Sequence, residues 1–150
     1  MGTIRRDEEV TFFVDACLGS NNVPTALRAA GAKAECLVTH FPPDAPDVVW
    51  LPEVGRRGWA VLTKDKWILR RATEIAALRA SGVAAFILSG NAKMNGDALA
   101  TAFVTALPRM RRMLASYARG GEHYFIAKVS PTGEVKLIDG GTRWGSVKRN

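Results

Sequence analysis

The sequence predicts a single α/β domain, a three-layer α/β/α sandwich around a mostly parallel sheet with a C-terminal β-hairpin. Three observations predict it. Short β-branched and aromatic runs alternate with stretches of good helix formers, which is the order of a parallel sheet linked by crossover helices. The run "VAAFILSG" is almost wholly apolar, as expected of a central strand buried on both faces. Near the end, "HYFIAKVS" and "EVKLID" flank "PTG", two strands joined by a tight turn.

Taken in order, "VTFFVDA" opens with Val10, Phe12, Phe13 and Val14 and stops at Asp15, so it is a short buried strand. "NNVPTALRAAG" follows as a helix, with Asn22 suited to its cap, Pro24 to its first turn and Gly31 to its end. "AECLVTHF" reads as the second strand. "PPDAPD" breaks the chain. Asp47 can then cap a short helix through Val48, Trp50 and Leu51, with Pro52 in the first turn or at the end. "WAVLT" is the third strand. "RRATEIAALRASG" is a helix closed by Gly82, and "VAAFILSG" is the fourth strand. "NGDALATAFVTALPRMRRMLASYARGG" is the longest helix, capped by Asn95 or Asp97 and kinked at Pro108. The hairpin follows. Positions 1–9 and 141–150 read as loose tails, and no internal repeat or interdomain linker is visible.

The chain has 150 residues, enough for one domain with its own core, and 47% of them are apolar. Its formal net charge is +7, which suits a polyanionic partner, nucleic acid before an acidic membrane surface. Cys17 and Cys36 are the only cysteines. They make neither a disulfide framework nor a zinc site, and they read as buried free thiols. No apolar stretch reaches membrane-spanning length, and "MGTIRRDEEV" is neither a signal peptide nor a myristoylation signal. These features place the protein in the cytoplasm with no membrane partner.

In open α/β sheets the ligand site lies beyond the carboxyl ends of the strands. Asp15 ends the first strand there, and Asp65 lies just beyond the third. Asp47 opens the helix after the second strand, Asp44 lies three residues earlier, and Glu74 sits in the first turns of the helix after Asp65. With only 14 acids against 21 bases, the chain still sends several carboxylates to one edge. Gathered carboxylates repel one another, and a divalent cation relieves that repulsion. Hard Mg²⁺ or Mn²⁺ takes oxygen ligands of this kind and can orient a water against a phosphodiester.

"FFVDACLGSNNVPTALRAAGAKAECLVTHF" followed by "DVVWLPEVGRRGWAVLTKDKWILRRATEIAAL" resembles the PIN-like ribonuclease fold. It is most similar to VapC-like toxins of bacterial toxin–antitoxin pairs. The shared marks are an Asp ending the first strand, a helix ending in "LRAAG", an acid before the "WL" pair, and Gly-Trp leading into "TKD". They span roughly positions 10 to 90. The resemblance implies a metal-dependent endoribonuclease in which Asp15, Asp47 and Asp65 bind the metal. It implies RNA as substrate, a cognate antitoxin as partner and a possible homodimer. The fourth acid of the family pattern is taken as Glu74, with Asp44 next and Asp97 last. Ala16 stands where a small polar residue usually follows the first Asp. A degenerate module that binds RNA or protein without cutting therefore stays open. A phospho-acceptor receiver-like domain ranks low, because Asp7, Glu8 and Glu9 precede the first strand instead of following it.

Each candidate has a plainer reading. Asp15 at the end of a buried strand is the hardest to explain structurally. Asp47 alone would be a helix cap, Asp44 a solvated loop residue, and Glu74 a charge complementing its helix terminus. Thr63 is a candidate to fix Asp65. Lys64, Lys66, Arg70 and Arg71 are candidates for RNA phosphates, or else a solvated basic face. Arg109, Arg111 and Arg112 read as a solvated helix face, and Trp50, Trp59 and Trp67 as packing residues. His40 and His123 read as structural, and Asn21 and Asn91 as loop caps.

Overall fold

The computed structural model describes residues 10–42, 44–64, 71–90, 94–119 and 124–140, with the backbone only at Asp47 and Arg119. The tails at 1–9 and 141–150 lie outside the described residues, as do Trp67, Asn91 and His123. Six strands form one sheet in the order β2-β1-β3-β4-β5-β6. They are β1 Thr11–Val14, β2 Lys33–Cys36, β3 Ala60–Thr63, β4 Ala84–Leu88, β5 Phe125–Val129 and β6 Val135–Gly140. The first five pair in parallel, and β6 returns antiparallel to β5. The expected sandwich and C-terminal hairpin are both present.

The helices are α1 Asn22–Ala29, α2 Leu37–His40, α3 Asp47–Arg57, α4 Ala72–Ser81 and α5 Gly96–Arg119. Period-two alternation of the strands divides the core into two layers. Phe12, Val14, Leu62 and Phe86 face α1 and α5, against Val23, Leu27, Phe103 and Met110. Phe13, Val61, Ala85 and Ile87 face α2, α3 and α4, against Leu37, Trp50, Val54 and Leu78. β3 and β4 are buried at every position, which is why their sequences are continuous apolar runs. No helix among the described residues is long and apolar enough to cross a membrane.

Three local expectations change. The second strand stops at Cys36, and Leu37–His40 turn into one helical turn. β2 is an edge strand whose sole neighbour, β1, ends at Val14 opposite Cys36, so no ladder remains for Val38 and Thr39 to join. Pro52 lies in the middle of α3 instead of at either end. Its ring costs about 3 kcal/mol in a helix interior. The cost is met because Pro52 is on the exposed side while Trp50, Leu51 and Val54 bury the opposite one. Asn21, not Asn22, occupies the cap position of α1, and Pro46, not Asp47, that of α3. Asn95 caps the start of α5 as expected, accepting from Ala98 N–H at 2.9 Å.

Candidate active site at the carboxyl edge of the sheet

β1 and β3 are hydrogen-bonded neighbours, so their carboxyl ends lie side by side. Asp15 follows β1 with its N–H bonded to the carbonyl of Leu62 at 3.0 Å. A single 3-10 turn, Ala16–Leu18, begins directly after it. The Asp15 carboxylate caps that turn, Oδ1 accepting from Ala16 N–H at 2.7 Å. Oδ2 accepts from Thr63 Oγ1 at 2.8 Å. Thr63, at the last position of β3, is fully buried. A buried hydroxyl needs a partner, and Thr63 spends its proton on Asp15.

Cys17 completes the cluster. Its Sγ lies 3.3 Å from Thr63 Oγ1 and 3.6 Å from Asp15 Oδ2, and it accepts from Lys64 N–H at 3.5 Å. Both cysteines were expected to be buried. Cys36 is, whereas Cys17 is exposed, because the 3-10 turn carries it out past the end of β1. Desolvation of the thiol, and then the Asp15 charge, push its pKa up. The bond described for Thr63 goes to Asp15, while Asp65, which Thr63 is a candidate to hold, lies outside the described residues. The signal was present in the spacing, since both residues end neighbouring strands, but only the sheet order pairs those two ends.

Glu74 lies in the first turn of α4. Its Oε2 accepts from Arg71 Nη1 at 2.7 Å, and its side chain is 18% exposed. The other oxygen, Oε1, is buried and has no hydrogen-bond partner among the described residues. A buried carboxylate oxygen without a partner is costly. Asp44 is an exposed turn residue. Asp97, in the first turn of α5, accepts from Asn22 Nδ2 at 3.0 Å, so its bond ties α5 to α1. Asp47 is the first residue of α3 and its side chain lies outside the description, as do Asp65, Lys66 and Arg70 entirely. Among the described residues no three His, Cys, Asp or Glu side chains come together as a metal-binding group. The structure therefore shows Asp15 and Thr63 joined, and Glu74 held by Arg71. Lys64 is half-buried just past β3 and Arg71 is exposed at the cap position of α4.

The other described candidates make contacts within the fold. His40 bonds Glu35 at 2.8 Å and packs edge-on to Trp59. Trp50 is core, and Trp59 packs against Phe13. Asn21 accepts from Thr25 at 3.4 Å. On the α5 face read as solvated, Arg109 and Arg112 are exposed, and Arg109 and Arg111 also donate to the carbonyls of Gly133 and Gly31.

A family model described as a PIN-like domain matches residues 10–90. The chain belongs to the PIN-like domain family. The match runs from the residue before β1 to the end of the loop turn after β4, so it contains Asp15, Thr63 and Glu74. It leaves α5, β5 and β6 outside. No curated protein and no solved structure matches the chain significantly. The PIN-like architecture is a nuclease-type fold, and Asp15 stands at the carboxyl edge of its sheet.

Proposed function

We propose that this PIN-like domain is a Mg²⁺- or Mn²⁺-dependent endoribonuclease, the toxin of a bacterial toxin–antitoxin pair. The observation that carries the proposal is the Asp15 carboxylate, fixed through both oxygens at the carboxyl edge by Thr63 and the Ala16 N–H. Oε1 of Glu74, partnerless among the described residues, supports it, because a hard cation is one partner such an oxygen would take. The donors are carboxylate oxygens, the chemistry Mg²⁺ and Mn²⁺ prefer. Asp15, Asp47, Asp65 and Glu74 would hold the ion.

The bound cation supplies an activated water and a counter-charge for the phosphodiester. The protein's own part is positional. Thr63 and the Ala16 N–H fix the rotamer of Asp15, and Oδ1, which accepts only from Ala16 among the described residues, keeps a lone pair available. Lys64 and Arg71, with Lys66 and Arg70, would grip RNA phosphates beside the edge. The toxin role, the antitoxin partner, the possible homodimer and the cytoplasmic setting rest on the sequence's resemblance to VapC-like proteins. A second reading, a module that binds RNA or protein without cutting, is favoured by the grip of Arg71 on Glu74.

Thermal unfolding in a Mn²⁺ titration tests the site without relying on turnover. A ligand bound only by the folded state stabilises it by about 2.7 kcal/mol at a hundred times its Kd. The Tm should rise with Mn²⁺ in wild type and not in Asp15→Asn. Equal shifts in both would remove Asp15 from the site.

A further inference from the structure

The pairing registers trace one row of residues across the sheet, one strand at a time. Thr63 is opposite Ile87, Ile87 opposite Lys128, and Lys128 opposite Lys136. Asp15 adjoins the row at the other end, since Val14 pairs with Leu62. Residues aligned across a sheet share a face, so the row lies on the side of Val61, Ile87 and Ile126, which α3 and α4 cover. That cover reaches the hairpin at Ile126 and at Asp139, which Arg79 of α4 bonds at 2.9 Å, but leaves two positions of the row open. In β5, Phe125, Ile126, Ala127 and Val129 are buried, and Lys128 alone is exposed. Its cross-strand partner Lys136 is exposed as well. Neither lysine has an ion pair among the described residues. Arg79, Arg71, Arg56 and Arg57, by contrast, are all paired. Like charges directly opposite across a sheet destabilise it. Of the nearby acids, the exposed Glu134 precedes β6 and Asp139 of β6 is taken by Arg79 and Tyr124, so the lysine pair keeps an excess of positive charge.

From this placement we infer that Lys128 and Lys136, on the same carboxyl edge as the candidate active site and separated from it by the buried Thr63 and Ile87, form a phosphate-binding patch that holds the RNA strand on one side of the cut. The inference rests on the ribonuclease reading. Strands are spaced about 4.8 Å apart, so the two lysines stand about 10 and 14 Å along the row from Thr63. That span is a few phosphates, given about 3.4 Å of rise or more per phosphate on one strand. The ligand class is a single-stranded phosphodiester backbone without base preference, since lysine meets phosphate as a point charge. Both lysines lie beyond position 90, outside the matched family region.

The test is binding of a fluorescent oligouridylate in EDTA, which blocks cutting, over a range of KCl concentrations. Wild type, Lys128→Gln plus Lys136→Gln, and Lys33→Gln at the far edge are compared, with polyglutamate as a second probe. Each lost phosphate contact lowers the slope of log K against log salt by about 0.7 for single strands. The double variant should therefore lose about 1.4 from the slope and bind several-fold more weakly at low salt. Lys33→Gln should match wild type. The double variant should also melt no lower than wild type, because a repulsive pair is gone. An unchanged slope in the double variant overturns the patch and leaves the ribonuclease reading intact. Intact oligouridylate binding with lost polyglutamate binding would assign the pair to an acidic protein and also overturn it. Failure of wild type to bind oligouridylate would overturn both the patch and the RNA reading.

Discussion

The hydroxyl of Thr63 donates to Oδ2 of Asp15 at 2.8 Å, joining the ends of two neighbouring parallel strands. Thr63 is fully buried and Asp15 half-buried, so the bond is partly shielded from water. A hydrogen bond to a charged group contributes about 1.5–3 kcal/mol. Outer partners of metal-binding carboxylates typically account for about 10–100-fold in affinity or activity when removed. Thr63→Val should lower Mn²⁺-dependent RNA cleavage by that factor, and Thr63→Ser should restore most of it. Matched melting curves separate the two effects, since a purely structural Thr63 would lower stability without changing the Mn²⁺ response of the folded protein.

Cys17 provides a chemical handle on the same cluster. It is exposed and lies 3.6 Å from Asp15 Oδ2, whereas Cys36 is buried. Alkylation with iodoacetamide under native conditions should therefore mark Cys17 first and abolish cleavage. Cys17→Ser should keep cleavage and become insensitive to the reagent. Mass spectrometry of the modified peptide, with activity measured in parallel, checks both.

How far the site was legible follows from which contacts are local. The strand-end position of Asp15 was readable because the run Phe12-Phe13-Val14 is local. Its partner was not, because Thr63 is 48 positions away and only the order of strands brings it near. Cys17 was misjudged as buried for the same kind of reason. An apolar neighbourhood in sequence does not report a 3-10 turn at a sheet edge. β2 was read too long because its length is set by where β1 stops. The two lysines of the hairpin look like ordinary alternation along single strands. They stand out only once β5 is known to lie between two neighbours.

Phe13 links the core to this edge. It stands two residues before Asp15 and packs against Trp50, Trp59 and Phe41, with ring centroids 5.2, 5.7 and 6.3 Å away. Phe13→Ala should cost about 3–5 kcal/mol, the usual range for a buried aromatic. Urea unfolding measures it, and a loss under about 1 kcal/mol would contradict the packing described.

α3 and α4 touch through a glycine. A Cβ added at Gly55 would drive into the backbone of Ser81, where no side-chain movement can make room. Gly55→Ala should lower stability by about 1–3 kcal/mol in spite of alanine's better helix propensity. A neutral or raised melting temperature would contradict the close approach of these helices.

Glu53 gives a pH signature away from the site. It accepts from Arg56 at 2.6 Å and Arg57 at 2.5 Å, and those hydrogen bonds lower its pKa to about 2. A carboxylate lowered on folding contributes stability above its unfolded value, and that contribution fades as pH falls toward the folded one. The Tm advantage of wild type over Glu53→Gln should be present at neutral pH and shrink between about 4.5 and about 2. The pair is exposed, so the advantage should be small and fall further in high salt.

On the proposed reading, Asp15 and its partner acids at this edge cut RNA with a divalent cation. Incubating a mixed structured RNA with purified protein, in Mn²⁺ or in EDTA, tests it most directly. Wild type would be compared with Asp15→Asn and Asp65→Asn. Cleavage by wild type in Mn²⁺ is predicted, with none in EDTA and a loss of at least about a hundredfold in either variant. Equal cutting by wild type and both variants, or cutting that persists in EDTA, would contradict it.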